Sequence, residues 1–157
     1  MILKTSSSYC RTLYIASILL LPILLFASPS QKQCDALISK GIDAMWQKDH
    51  VRSLELLTRA RDMAEANRWY KQQFLAINNI GANYYVMLDY GEALNYYLES
   101  YMLAVKRLKP INEMVVLNNI AILYSKEKNF AKAREYFLKA YVIAKENNDG
   151  LKTGLYA

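Results

Sequence analysis

The sequence is poor in residues that interrupt helices. Of its 157 residues, only 5 are Gly and 3 are Pro. Two of the prolines, Pro22 and Pro29, lie in the first 30 residues, which leaves Pro110 as the one proline of the remainder. Gly and Pro most often end helices and build irregular loops. Their scarcity predicts long helices joined by short connections, with Pro110 in one of the connectors.

Cysteine and histidine are scarce as well. The chain has two cysteines, Cys10 and Cys34, and one histidine, His50. Cys10 lies in a segment that we expect to be removed, so the mature chain would hold one thiol and no internal disulfide. One Cys and one His are too few ligands for a zinc site. His50 falls in a predicted turn, where an isolated histidine is expected to be solvated.

Acidic residues are missing from the first 34 positions, where Lys4, Arg11 and Lys32 are the only charged side chains. A 14-residue apolar run, Leu13–Phe26, is followed by the small residues of 27–30. The order basic, apolar, small is typical of a secretory signal peptide. The run is also shorter than the roughly 20 residues of a spanning helix. We therefore predict a signal peptide over residues 1–28 and export to the periplasm or the medium. If the segment is not cleaved, it would anchor the protein to the membrane.

The remaining chain is mildly basic and shows no catalytic pattern. Without residues 1–28 it has 18 basic and 14 acidic residues, a net charge of +4. A nucleic-acid-binding domain would carry clustered basic residues at higher density. Nucleophile–base pairs, paired carboxylates, phosphate-binding glycines and metal-ligand spacings are not found in the sequence. We predict no nucleic-acid partner, no catalytic, cofactor-binding or metal-ligating residues, and no enzymatic activity.

The chain matches itself when it is shifted by 40 residues. Residues 75–84 (LAINNIGANY) align with residues 115–124 (VVLNNIAILY), and residues 91–97 align with residues 131–137. A weaker copy precedes them in the same register. Within each period, apolar residues recur at steps of three and four, as in amphipathic helices. The pattern predicts three helix pairs: 31–48 with 51–66, 69–88 with 91–108, and 112–127 with 130–147.

Small residues recur where we expect the two helices of each pair to approach closely, because a larger side chain would not fit there. They are Gly41, Gly81 and Ala121 on the first helices, and Ser53, Ala93 and Ala133 on the second helices.

This pattern resembles the tetratricopeptide repeat family. The family signature on the first helix is a large apolar residue, then Leu-Gly or Leu-Ala, then Tyr, which here corresponds to Ile77, Ile80-Gly81 and Tyr84. The first copy departs from the signature at Lys40 and Ala44. The 40-residue period is similar to the versions in kinesin light chains and in bacterial sensor and regulator proteins. The resemblance covers about residues 34–147. It implies an all-α, right-handed α-solenoid of three helix-turn-helix repeats, within a repeat domain at 29–157. The repeats are expected at about 31–66, 69–108 and 112–147, with the start of a fourth at 151–157.

The resemblance also implies a protein-interaction module that binds a peptide or a protein segment in a concave groove lined by the first helices. An Asn amide both donates and accepts hydrogen bonds, which suits recognition of a peptide backbone. For the neighbouring Asn79 and Asn119 the alternative is a bond to a loop carbonyl that only stabilises the stack. The implied peptide-binding residues are Asn78, Ala82, Tyr85, Asn118, Ile122 and Ser125.

Two further interpretations concern the end of the sequence. Residues 151–157 look like part of a fourth first helix, so the chain could be the extracytoplasmic sensing portion of a longer bacterial signalling protein, a histidine kinase or a transcriptional regulator. Without a polar capping helix after the third repeat, we also expect Tyr136, Val142 and Ile143 to be exposed and to promote self-association.

Overall fold

The structure is a computed structural model, and it describes residues 29–147. The predicted signal peptide at 1–28 and the predicted start of a fourth repeat at 151–157 lie outside the described residues. Residues 29–147 contain six helices and no β-strand. Within this range, none of the helices combines the length and the apolar character needed to cross a membrane. The helices are α1 Gln31–Trp46, α2 His50–Ala66, α3 Tyr70–Val86, α4 Tyr90–Arg107, α5 Pro110–Lys126 and α6 Phe130–Glu146.

Consecutive helices pack as antiparallel pairs, α1 with α2, α3 with α4, and α5 with α6, and each pair packs on the next. Connections of two or three residues leave no alternative to antiparallel neighbours. The helix bounds lie within two residues of the predicted ones, and the prediction of an all-α solenoid of helix pairs is confirmed. Pro110 was predicted to lie in a connector but is the first residue of α5. A proline is well tolerated there, because the first helical N–H has no partner within the helix.

The turn inside each pair combines the end of one helix with the start of the next. In the second pair, Leu88 has a positive φ of 66°. The N–H of Asp89 donates to the carbonyl of Tyr84 and that of Leu88 to the carbonyl of Tyr85, so the end of α3 is satisfied. The Asp89 carboxylate then accepts from the N–H of Glu92 and caps α4. The same arrangement recurs at the other two turns, where Asp49 and Asn129 are the caps.

The predicted close approaches are present. A Cβ added at Gly41 would lie 2.7 Å from Leu57 Cγ, and one added at Gly81 would lie 2.8 Å from Tyr97 Cδ1. These distances are shorter than van der Waals contact, so both glycines are required for the spacing of their pairs. All six predicted small positions are buried. Tyrosine stacks also repeat with the period, Tyr84 on Tyr96 and Tyr124 on Tyr136, with ring centroids 5.4 and 5.6 Å apart.

One polar contact joins the first repeat to the second. Asn83 on α3 is fully buried, and its Oδ1 lies 2.7 Å from Nδ1 of His50, the first residue of α2. The Nδ2 of Asn83 donates to the carbonyl of His50 at 3.2 Å. His50 was expected to be a solvated turn residue, but it begins α2, is half-buried and is hydrogen-bonded to Asn83. One period later the same two positions hold Tyr90 and Leu123, and Leu123 is fully buried as well.

The last helix, α6, leaves some of its apolar side chains exposed. Val142 is 49% exposed, whereas Tyr136 and Ile143 are half-buried against α5. Of the three residues expected to be exposed, Val142 is thus largely exposed and the other two are exposed only in part.

Candidate peptide-binding face

The six residues implied as peptide contacts form two parallel rows. Asn78, Ala82 and Tyr85 follow one another at steps of four and three on α3, which places them on one side of that helix. Asn118, Ile122 and Ser125 form the same row on α5. All six are half-buried or exposed, and Ile122 is 37% exposed. We call the surface formed by these six residues the first-helix face.

A hydrogen bond ties the two rows together. Nδ2 of Asn119 on α5 donates to Oδ1 of Asn78 on α3 at 3.0 Å. Asn79 instead donates to the carbonyl of Leu75 in its own helix at 2.7 Å. The alternative of a loop-carbonyl bond therefore holds for neither residue, because Leu75 lies inside α3 and Asn119 bonds a side chain. Asn118 forms no hydrogen bond with another residue of the described chain through its side chain, so its amide remains available.

A small cleft lies where the two rows meet the second helix of the middle pair. It has a volume of 140 Å³ and is lined by Tyr85, Ile122, Asn119 and Tyr97 of α4. The Tyr85 ring rests against the ring of Tyr90 at 5.7 Å between centroids, which limits its movement. Burial raises the pKa of Tyr97 well above its usual value, because the ionised phenolate is disfavoured in the interior.

The structure brings some of the implied residues together and leaves others apart. Tyr85 and Ile122 share the cleft, and Asn78 is linked to it through Asn119. Ala82 and Ser125 lie on the two rows but do not line the cleft. The sequence pattern missed Tyr97, because its position in the repeat marks it as a core residue. It left Asn119 open between a ligand contact and a loop-carbonyl bond, whereas its amide bonds Asn78, one period plus one residue away.

The first-helix face combines apolar side chains with the side-chain amides of Asn78 and Asn118. Val115 and Val86, near the two ends of the rows, are 39% and 41% exposed. None of the six residues of the first-helix face is charged. In the part of the chain that the structure describes, no group of three His, Cys, Asp or Glu side chains is close enough to hold a metal ion. Cys34 does not line the cleft; it is buried in the first pair against the carbonyl of Ala60, and burial raises the pKa of its thiol.

Residues 72–146 match the family model described as tetratricopeptide repeat. No curated protein matches the chain significantly. The matched range covers the two more regular pairs, α3 to α6. Repeats of this family generally mediate protein–protein interaction. The first pair continues the same packing, with Gly41 against Leu57 as Gly81 is against Tyr97. Residues 72–146 therefore belong to the tetratricopeptide repeat family, and the first pair extends their stack.

Proposed function

We propose that the chain is an exported protein-interaction module that holds a peptide or a protein segment on its first-helix face. The observation that carries this proposal is the cleft between Tyr85 and Ile122, which lies on an uncharged face with exposed Val115 near one end of its rows. Apolar side chains left at the surface around a cleft are typical of sites for another polypeptide.

The geometry supports a simple mode of binding. One apolar side chain of the ligand enters the cleft and contacts the Tyr85 ring and the Ile122 side chain. The amide of Asn118, which has no partner among the described residues, pairs with a backbone group of the ligand. Asn78 keeps its NH2 group for the ligand, because the bond from Asn119 occupies only its oxygen. An extended or helical peptide with apolar side chains fits this arrangement.

The test is selection of peptides from a random displayed library on the purified protein, followed by calorimetry with two matched variants. Ile122→Lys places a charge in the cleft, whereas Met102→Lys makes the same change at a residue of α4 that is 50% exposed and outside it. We expect Ile122→Lys to weaken binding at least about tenfold, the cost of about 1.4 kcal/mol, and Met102→Lys to bind normally. Equal binding by both variants would show that the ligand lies elsewhere.

Export is tested by the mass and cell fraction of the native product, detected with an antibody raised to residues 70–107. A product of about 15 kDa in the periplasm or the medium, which removal of a signal peptide predicts, supports a short secreted module. A much larger membrane-bound product would instead favour the sensing portion of a longer signalling protein.

Self-association through α6 is a separate proposal. We expect Val142→Glu to reduce self-association in sedimentation at increasing concentration, because Val142 is 49% exposed.

A further inference from the structure

The net positive charge of residues 29–147 lies at one edge of the helix stack. We define the basic edge as the side of the stack where one helix pair connects to the next. It consists of the first four residues of α1, α3 and α5, the last four residues of α2, α4 and α6, the connectors 67–69 and 108–109, and the flanking residues 29–30 and 147. This edge has seven basic and three acidic residues, a difference of +4. Residues 29–147 as a whole have 17 basic and 13 acidic residues, also +4. The basic residues of the edge are Lys32, Arg68, Lys71, Lys106, Arg107, Lys109 and Lys145.

The opposite edge is neutral. We define the turn edge in the same way, from the last four residues of α1, α3 and α5, the turns inside the pairs, and the first four residues of α2, α4 and α6. It has five basic and five acidic residues. The four most exposed large apolar side chains of the described chain also lie there, at Trp46, Val51, Leu88 and Phe130. The charge is therefore a property of one edge and not of the repeat in general.

A cleft at the centre of the basic edge concentrates this charge. It has a volume of 580 Å³ and is lined by Lys71 of α3, Arg107 and Lys109 around the connector, and Asn112 of α5, with Leu108 and Ile111. Within residues 29–147, none of its three cations takes part in an ion pair. The Arg107 guanidinium lies over the Tyr70 ring, 5.0 Å from its centroid. Neighbouring cations without counter-charges repel one another, so an anion in this cleft would be attracted by all three.

The two helices that begin at this cleft also differ from the other four. Neither α3 nor α5 has a side-chain cap at its N-terminus, because Trp69 and Lys109 occupy the cap positions. The other four helices are capped by side chains. The first N–H groups of α3 and α5 are therefore left without side-chain acceptors, and the positive ends of both helix dipoles add to the three cations.

The place of the N-terminal apolar run indicates which anion approaches. Ser30 caps α1 on this same edge, and Gln72 near the start of α3 donates to Asp35 of α1, so the beginnings of α1 and α3 lie side by side. Only four residues, Ala27–Ser30, separate the start of α1 on this edge from the end of the apolar run at Phe26. Whenever that run is held in a bilayer, the basic edge is the part of the stack brought closest to the lipid headgroups.

We propose that the basic edge docks on an anionic bilayer, and that the cleft of Lys71, Arg107 and Lys109 receives a lipid phosphate. The turn edge then faces away from the membrane. Docking uses neither row of the first-helix face, so it is independent of peptide binding. Attraction of each basic residue to an anionic surface increases affinity about fivefold at moderate salt and is screened at high salt.

The two tryptophans allow a direct test, because Trp69 belongs to the basic edge and Trp46 to the turn edge. The purified native product is mixed with brominated vesicles of phosphatidylcholine alone, or with one quarter phosphatidylglycerol. The Trp46→Phe variant reports the basic edge and Trp69→Phe reports the turn edge. We expect the bromines to quench Trp69 more strongly in the anionic vesicles than in the neutral ones, where only an apolar run kept on the product could hold the edge near the surface, and to quench Trp46 in neither. Equal quenching of Trp69 in both kinds of vesicle, or quenching of Trp46 instead, would overturn the proposal.

Matched charge variants identify the cleft. Lys71→Gln with Lys109→Gln should lower the affinity for anionic vesicles about fivefold for each lysine removed. Lys48→Gln with Lys128→Gln removes the same charge from the turn edge and should leave affinity unchanged. Equal effects of the two pairs would mean that net charge alone acts and would overturn a docked edge. Binding to polyglutamate without binding to vesicles would assign the edge to an acidic polypeptide and would also overturn it.

Discussion

The contact between Asn83 and His50 offers a sharp test of how the first two repeats are joined. His50→Ala removes the ring nitrogen that lies 2.7 Å from Asn83 Oδ1, while the carbonyl of residue 50 remains to accept from Asn83 Nδ2. The oxygen is then left without a partner in a fully buried side chain. An unsatisfied buried acceptor costs about 1–3 kcal/mol, and we expect His50→Ala to lower the free energy of unfolding by that amount.

Asn83→Leu is the complementary substitution, because it removes the other side chain of the same contact. The third repeat already has a fully buried leucine, Leu123, at the equivalent position. The substitution removes both polar atoms, and the half-buried His50 ring can still contact water. Replacing both members of a buried polar contact with apolar groups of similar shape is nearly neutral. We therefore expect Asn83→Leu alone to cost less than His50→Ala, and Asn83→Leu to suppress most of the loss caused by His50→Ala.

Urea unfolding followed by far-ultraviolet circular dichroism gives the four free energies of this double-mutant cycle. A coupling of at least about 1 kcal/mol is expected for two groups in direct contact. If His50→Ala costs less than about 0.5 kcal/mol, and the two single effects add in the double variant, water satisfies Asn83 as well as His50 does. That result would refute the reasoning.

Three other predictions follow from buried contacts. Gly81→Ala should destabilise the protein in thermal unfolding, because overpacking against Tyr97 costs about 1–3 kcal/mol and exceeds the helix-propensity gain of about 1 kcal/mol. Gly91→Ala is its control and should be neutral or stabilising, since the nearest atom to its added Cβ is 3.7 Å away; equal effects would contradict the packing argument. Ser100→Ala should raise the urea midpoint, because Ser100 Oγ is buried without a hydrogen bond to any described residue and the equivalent Ala140 is fully buried; a lower midpoint would reveal a partner for that hydroxyl. Burial raises the pKa of Tyr97 in the folded state. The contribution of Tyr97 to the free energy of unfolding is therefore constant below the ordinary pKa of 10.0 and falls as the pH rises above it. Tyr97→Phe should therefore reduce the alkaline loss of stability, and an identical pH profile would contradict this.

The helix pairs and their close approaches could be predicted from the chain alone. The 40-residue period and the steps of three and four reflect local backbone geometry, which each segment carries in its own residues. Gly41 and Gly81 could be recognised for the same reason, because a missing side chain at a repeated position indicates that another helix approaches there. Pro110 was misplaced because a proline can begin a helix as well as precede one.

The contacts between repeats required the folded structure. Asn119 reaches Asn78, and His50 reaches Asn83, across distances that depend on how far one pair is rotated and shifted on the next. The basic edge has the same origin, since Lys71 and Arg107 meet at one cleft only because α3 and α4 run in opposite directions. A periodic sequence specifies which face of each helix is buried, because that depends on local spacing. Which side chains meet across a repeat boundary depends on the packing of whole helices, and that packing is not encoded in any single segment.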